Sequence, residues 1–126
     1  MKVSNGTTGA TVRKRILVIE DQWLMSFMID DMLKLLGYDV AGIASSMDNA
    51  TDQIEHESFD AAILDVNLQG NSTFDLADRL QEKKVPFFFS TGYDPSSLPE
   101  EYQNCLALQK PYSEDQLRST LQMALA

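Results

Sequence analysis

Four continuous apolar runs, Ile16-Leu17-Val18-Ile19, Ala61-Ala62-Ile63-Leu64, Phe87-Phe88-Phe89 and Leu106-Ala107-Leu108, each lead into polar residues able to do chemistry. Runs without polar alternation suit strands buried on both faces, as in parallel sheets whose faces are covered by helices. Between them lie stretches with apolar residues at spacings of three and four, so the chain reads as repeated strand-helix units. Strands are expected near 15–20, 38–43, 61–65, 86–90 and 105–109. One helix follows Asp21 and stops at Gly37, which suits a left-handed position past a helix end. Another starts at Ser45 or Ser46 and carries Met47, Ala50 and Ile54 inward. A third starts at Ser72 with Leu76, Ala77 and Leu80 inside. The last opens with Ser113-Glu114-Asp115-Gln116, a capping-box pattern, and buries Leu117, Leu121 and Ala124.

The stretch Gly92-Tyr93-Asp94-Pro95-Ser96-Ser97-Leu98-Pro99 breaks this rhythm. It holds two prolines and no helical stripe, so any helix there is short, with Pro99 in a first helical position ahead of one turn over 100–103. The 126 residues, 44% of them hydrophobic, fit one compact domain over 14–126 preceded by a mobile tail over 1–13. No apolar run approaches the ~20 residues of a membrane span, and the N-terminus lacks the apolar core of a secretory signal. A cytoplasmic protein without membrane insertion is expected. The net charge of −9 argues against nucleic acid as a partner, because phosphate backbones are bound by clustered lysines and arginines. Cys105, the single cysteine, reads as a small buried hydrophobe.

In open α/β sheets, ligands sit beyond the carboxyl ends of the strands. Glu20-Asp21, Asp65, Thr91 and Lys110-Pro111 all fall there, so several strands deliver their last residues to one crevice. Three acids, a hydroxyl and a lysine make a divalent-metal phosphoryl-transfer site. A carboxylate that accepts a phosphoryl group must be ionised and accompanied by positive charge. Asp65 is the candidate acceptor. Glu20 and Asp21, with Asp65 and the main-chain carbonyl of Asn67, would hold Mg²⁺ (or Mn²⁺), which favours oxygen ligands and keeps several waters. Thr91 would donate its hydroxyl to a phosphoryl oxygen and Lys110 would supply a fixed charge. Pro111 restricts the turn after the lysine.

With these residues in place, the sequence resembles the receiver domain of response regulators over 14–126. The resemblance implies a flavodoxin-like (βα)5 fold with strand order 2-1-3-4-5 and a short or irregular fourth helix. It places the acidic pair on Glu20 and Asp21, the phosphorylated aspartate on Asp65 and the switch residues on Thr91 and Lys110. It also implies a sensor histidine kinase or histidine phosphotransfer protein as phosphodonor, and a downstream protein as target. The segment Pro86-Phe87-Phe88-Phe89-Ser90-Thr91-Gly92-Tyr93, with Gln109-Lys110-Pro111-Tyr112, is similar to a single-domain subgroup with a Phe-Ala-Thr-Gly-Tyr signature, associated with HWE or HisKA2-type kinases. Ser90 replaces that alanine. Ala107 stands where the family commonly has a switch aromatic, so the response is expected in the segment 92–104 rather than in a rotating ring.

On a helical wheel Met25, Ile29, Met32 and Leu36 share one face of the first helix, while Trp23 and Phe27 lie nearly opposite. Those two aromatics, with Tyr93 and Tyr112, are candidates for a partner surface, although cover by neighbouring loops would also account for them. His56, between Glu55 and Glu57, reads as a solvated helix residue. A phosphatase of the haloacid-dehalogenase type would want a second acid two residues after the nucleophile, where Asn67 stands. A nucleotide-binding domain would want a glycine-rich turn after the first strand. A phosphorylation-independent scaffold of the same fold is the remaining alternative. No output module is expected beyond Ala126, so the output is expected to be a contact made by the domain itself, and no enzymatic turnover beyond its own phosphorylation and dephosphorylation is expected.

Overall fold

The computed structural model describes residues 12–126, so residues 1–11 of the expected tail lie outside the described residues. Five parallel strands, β1 (Arg15–Ile19), β2 (Asp39–Ala44), β3 (Ala61–Asp65), β4 (Phe87–Thr91) and β5 (Ala107–Gln109), form one sheet in the order β2-β1-β3-β4-β5. This is the flavodoxin-like arrangement, with the strand order 2-1-3-4-5. Ile16 pairs with Ala61, Ala62 with Phe87 and Phe89 with Ala107, which places the four apolar runs side by side. The ends of β1, β3, β4 and β5 therefore open on one edge of the sheet.

Alternation of side chains across a strand divides the core into two layers. Leu17, Ile19, Ala62, Leu64 and Phe89 face α2 (Met47–His56) and α3 (Phe74–Glu82), meeting Ala50, Ile54, Leu76, Ala77 and Leu80. Ile16, Val18, Ala61, Ile63 and Phe88 face α1 (Trp23–Leu35) and α4 (Glu114–Leu125), meeting Ile29, Leu33, Leu117 and Leu121. Apolar residues at both alternations of each strand are thus a direct product of a sheet covered on both sides.

The helix ends follow local chemistry. Ser46 caps α2 by accepting the Asn49 N–H, and Ser113 forms the expected reciprocal box with Gln116 at the start of α4. Gly37, at φ +92°, closes α1 beyond Leu36. The third helix departs from expectation at its start. Ser72 belongs to a two-stranded antiparallel hairpin, Asn67–Leu68 with Asn71–Ser72, and Thr73 occupies the cap position before Phe74. The β4-to-β5 crossover departs as well. It holds two 3-10 turns, Pro95–Ser97 and Glu100–Tyr102, with Pro95 opening the first and Pro99 capping the second from outside rather than starting a helix. Cys105 lies before β5, which begins two residues later than expected, and it packs partly buried against the core.

The crossover is held by two buried side chains, Leu98 and Tyr102. The Tyr102 ring stacks on Phe74 at 4.5 Å and meets Phe89 edge-on at 5.9 Å. Its hydroxyl donates to Asp78 Oδ1 at 2.9 Å. Burial, with Asp78 beside it, pushes the Tyr102 pKa up to about 12, so the hydroxyl stays a donor. Ala107, on β5, borders the same cluster.

Candidate functional site

The last residue of β3 and the two residues after β1 bring three carboxylates together. One oxygen from each of Glu20, Asp21 and Asp65 lies within 4.8 Å of the others. Such a group repels itself unless a cation answers it. Lys110, just past β5, supplies one: its Nζ lies 3.0 Å from Glu20 Oε1 and 3.1 Å from Asp65 Oδ2. Three strand ends, those of β1, β3 and β5, thus converge, and a lysine 45 residues after Asp65 closes the ring.

Main-chain amides complete the acids' hydrogen bonding. Asn67 N–H donates to Asp65 Oδ1 at 3.1 Å, and Gln22 N–H to Glu20 Oε2 at 3.1 Å. Gln69 N–H, at the tip of the hairpin, donates to Asp21 Oδ2 at 2.8 Å. Asp65 itself is fixed from behind, because Thr73 Oγ1 donates to its carbonyl and Val66 N–H donates to Ser90 O. Glu20 is only 2% exposed. Burial first, and Asp65 beside it second, raise its pKa to about 7, against the lowering effect of Lys110. Burial opposes the Lys110 charge, but the Glu20 hydrogen bond and the field of both acids outweigh it and keep the lysine's pKa raised. Lys110 is therefore a permanent cation here.

Asp21, Gln22, Asp65, Asn67, Gly92, Tyr93 and Lys110 line a crevice of about 530 Å³. Water occupies ~30 Å³ in the liquid, so the space accommodates a hydrated cation together with a phosphoryl group. The donor set suits a hard divalent ion: carboxylate oxygens from three residues, with Asn67 on the crevice wall. Thr91 is buried beside the crevice, its Oγ1 accepting the Tyr93 N–H at 3.0 Å and its carbonyl accepting the Lys110 N–H at 2.7 Å. The Lys110–Pro111 peptide is cis.

The candidate partner residues divide. Trp23, Phe27 and Tyr93 are 77%, 59% and 74% exposed, and Leu24 and Met28 extend the apolar face of α1. Tyr112 is not a surface residue. Only 6% exposed, it packs against the α1/α4 layer and its hydroxyl lies 3.3 Å from Ser90 Oγ, because the chain turns inward after Pro111 to bring α4 onto the sheet. Burial raises its pKa. His56 is exposed and pairs with Asp52 one helical turn before it. Sequence reasoning missed Gln22 and Gln69. The Gln69-Gly70 step carried a turn signal, but nothing local tied it to Asp21, 48 residues away.

Residues 16–122 match the family model described as the response regulator receiver domain. The sensory transduction protein LytT of Bacillus subtilis is 32% identical over 111 residues, which are 85% of this chain and 46% of that protein. The chain spans about half the length of such curated relatives. Among solved structures, SdrG from Sphingomonas melonis Fr1 superposes with a TM-score of 0.82 at 31% identity, covering 93% of this chain and 100% of SdrG. The receiver domain of the Erythrobacter litoralis PhyR response regulator gives 0.79 at 31% identity, covering 90% of each chain.

Proposed function

The chain belongs to the response regulator receiver domain family, and from that premise we propose that it is a phosphoacceptor in which Asp65 takes a phosphoryl group from a histidine kinase or a histidine phosphotransfer protein. The observation that carries this reading is the Lys110 ammonium placed between Glu20 and Asp65, 3.0 and 3.1 Å from each. A carboxylate oxygen of Asp65 forms the bond to phosphorus while the bond from phosphorus to the donor's histidine nitrogen breaks. The nucleophile needs no proton removed, because the carboxylate attacks ionised. Lys110 then balances the charge of the phosphoryl oxygens. The Asn67 N–H and the Thr73 hydroxyl hold Asp65 in one orientation, which reduces the reorganisation that transfer requires. Thr91 is placed to donate its hydroxyl hydrogen to a phosphoryl oxygen, because accepting the Tyr93 N–H engages only a lone pair of that oxygen.

Receiver domains bind Mg²⁺ at an acidic pocket, and Glu20, Asp21, Asp65 and the Asn67 carbonyl would hold it in this chain. When bound, the ion neutralises phosphoryl oxygens and relieves the repulsion among the acids. The exposed apolar face of α1, with Trp23 and Phe27, is the proposed kinase-docking surface, and Tyr93 at the crevice mouth faces either the kinase or the downstream protein. The protein acts by changing contacts with that target rather than by turning over a substrate. Among the described residues no helix is long and apolar enough to cross a membrane, and a cytoplasmic setting is proposed.

Intact-protein mass after incubation with acetyl phosphate and Mg²⁺ tests the reading. One phosphoryl adduct is expected for wild type, and none for Asp65→Asn or after chelation. An unmodified wild type would instead favour a phosphorylation-independent scaffold.

A further inference from the structure

Of the three acids, Asp21 alone takes its amide from the tip of the hairpin. Glu20 and Asp65 share Lys110 and take amides two residues onward, whereas Asp21 Oδ2 accepts the Gln69 N–H at 2.8 Å from a turn 48 residues away. That turn is built to stay in place. Leu68 is fully buried beneath it, Thr73 is fully buried at its base, and Gly70 N–H donates to Asn67 Oδ1 at 3.0 Å across it. Gln69 and Gly70 both have positive φ, +53° and +84°, the pairing of left-handed residues that a two-residue hairpin turn demands. A glutamine at positive φ is uncommon. Here the conformation directs its amide at a carboxylate on the crevice wall.

We propose that the tip of the 67–72 hairpin is a positioning element for the divalent cation: the Gln69 amide fixes one oxygen of Asp21 and leaves the other free to ligate, while the same hairpin presents the Asn67 carbonyl. This rests on the reading that the crevice binds Mg²⁺. Ligating carboxylates are commonly held by outer hydrogen-bond donors whose loss costs ~10- to 100-fold in metal affinity. The conformation of the hairpin tip therefore sets cation affinity through an amide that is not itself a ligand. A Cβ at Gly70 would meet nothing within 4 Å, so a side chain there strains the turn through its positive φ rather than through a clash at Cβ.

The test is Mg²⁺ binding by calorimetry on the full chain without phosphodonor, together with amide exchange at Gln69 read by NMR. Gly70→Val disfavours the turn and is expected to raise the Kd about tenfold. Gln69→Gly keeps the N–H and eases the positive φ, so its Kd stays within about twofold of wild type. In wild type the Gln69 amide is protected from exchange, and Asp21→Ala removes that protection. Wild-type affinity in Gly70→Val overturns the inference. So does an unprotected Gln69 amide in wild type, a result that does not depend on any variant folding. Failure of wild type to bind Mg²⁺ at all would count against the proposed function as well, which separates the two readings.

Discussion

The crevice at the ends of β1 and β3 and the crossover from β4 to β5 share a border at Gly92 and Tyr93, yet they are built differently. The crevice rests on strands whose residues Ile16–Ile19 and Ala61–Leu64 are at most 1% exposed, and its acids are held by Lys110 and three main-chain amides. The crossover has no α-helix and is pinned chiefly by Leu98 and Tyr102, with most of its other residues exposed. Few buried contacts and exposed backbone mark a segment of low local stability. The proposed chemistry thus sits on the well-packed part, and a segment of lower local stability lies alongside.

Removing the crevice's cation should have the largest effect. Lys110→Ala is expected to lower the rate of Asp65 phosphorylation by acetyl phosphate at least ~100-fold, the scale for losing one preorganised charge donor. It should also cost about 3 kcal/mol of stability at pH 8, because two buried acids lose their partner. Time-resolved mass and denaturant titration check the two figures. The crossover is broken by Tyr102→Ala, with an expected loss of about 3 kcal/mol for a buried aromatic and faster exchange across 92–106. If that variant kept wild-type exchange there, Tyr102 would not be the pin.

A pH series sharpens the contrast from the crevice side. Glu20 has a folded pKa of about 7 against 4.5 in the unfolded chain, so the fold favours its neutral form. Its contribution is fully present below pH 4.5 and is lost as pH rises through 7, falling by about 2 kcal/mol between pH 5 and pH 7. In metal-free protein, Glu20→Gln should remove that slope, and Mg²⁺ should oppose it in wild type. Identical slopes in wild type and variant would place the acid outside the account. The smallest effect is Tyr102→Phe, which loses the bond to Asp78 and is expected to cost about 1 kcal/mol while leaving the ring stack in place.

How much of this was legible depended on whether the signal was local. The uniformly apolar runs announced buried parallel strands, and the polar residues ending each run announced the crevice, since both properties sit in a few consecutive residues. Ser46, Ser113 and Gly37 were readable as helix ends for the same reason. The hairpin 67–72 was not, because two-residue strands have no periodicity and Ser72 resembles a helix cap as well as Thr73 does. The burial of Tyr112 depends on the course of the chain after Pro111, which composition does not encode. Tyr102 packs on Phe74, 28 residues earlier, and Gln69 reaches Asp21 across 48. Contacts over such separations are decided by the assembled fold.

The division between a fixed crevice and a responsive crossover is tested most directly by amide hydrogen exchange before and after phosphorylation with acetyl phosphate and Mg²⁺. Amides over 92–106 are expected to change their exchange rates severalfold while those of β1 and β3 stay protected in both states. Equal exchange over 92–106 in the two states, with the phosphoryl group confirmed on Asp65, would contradict it.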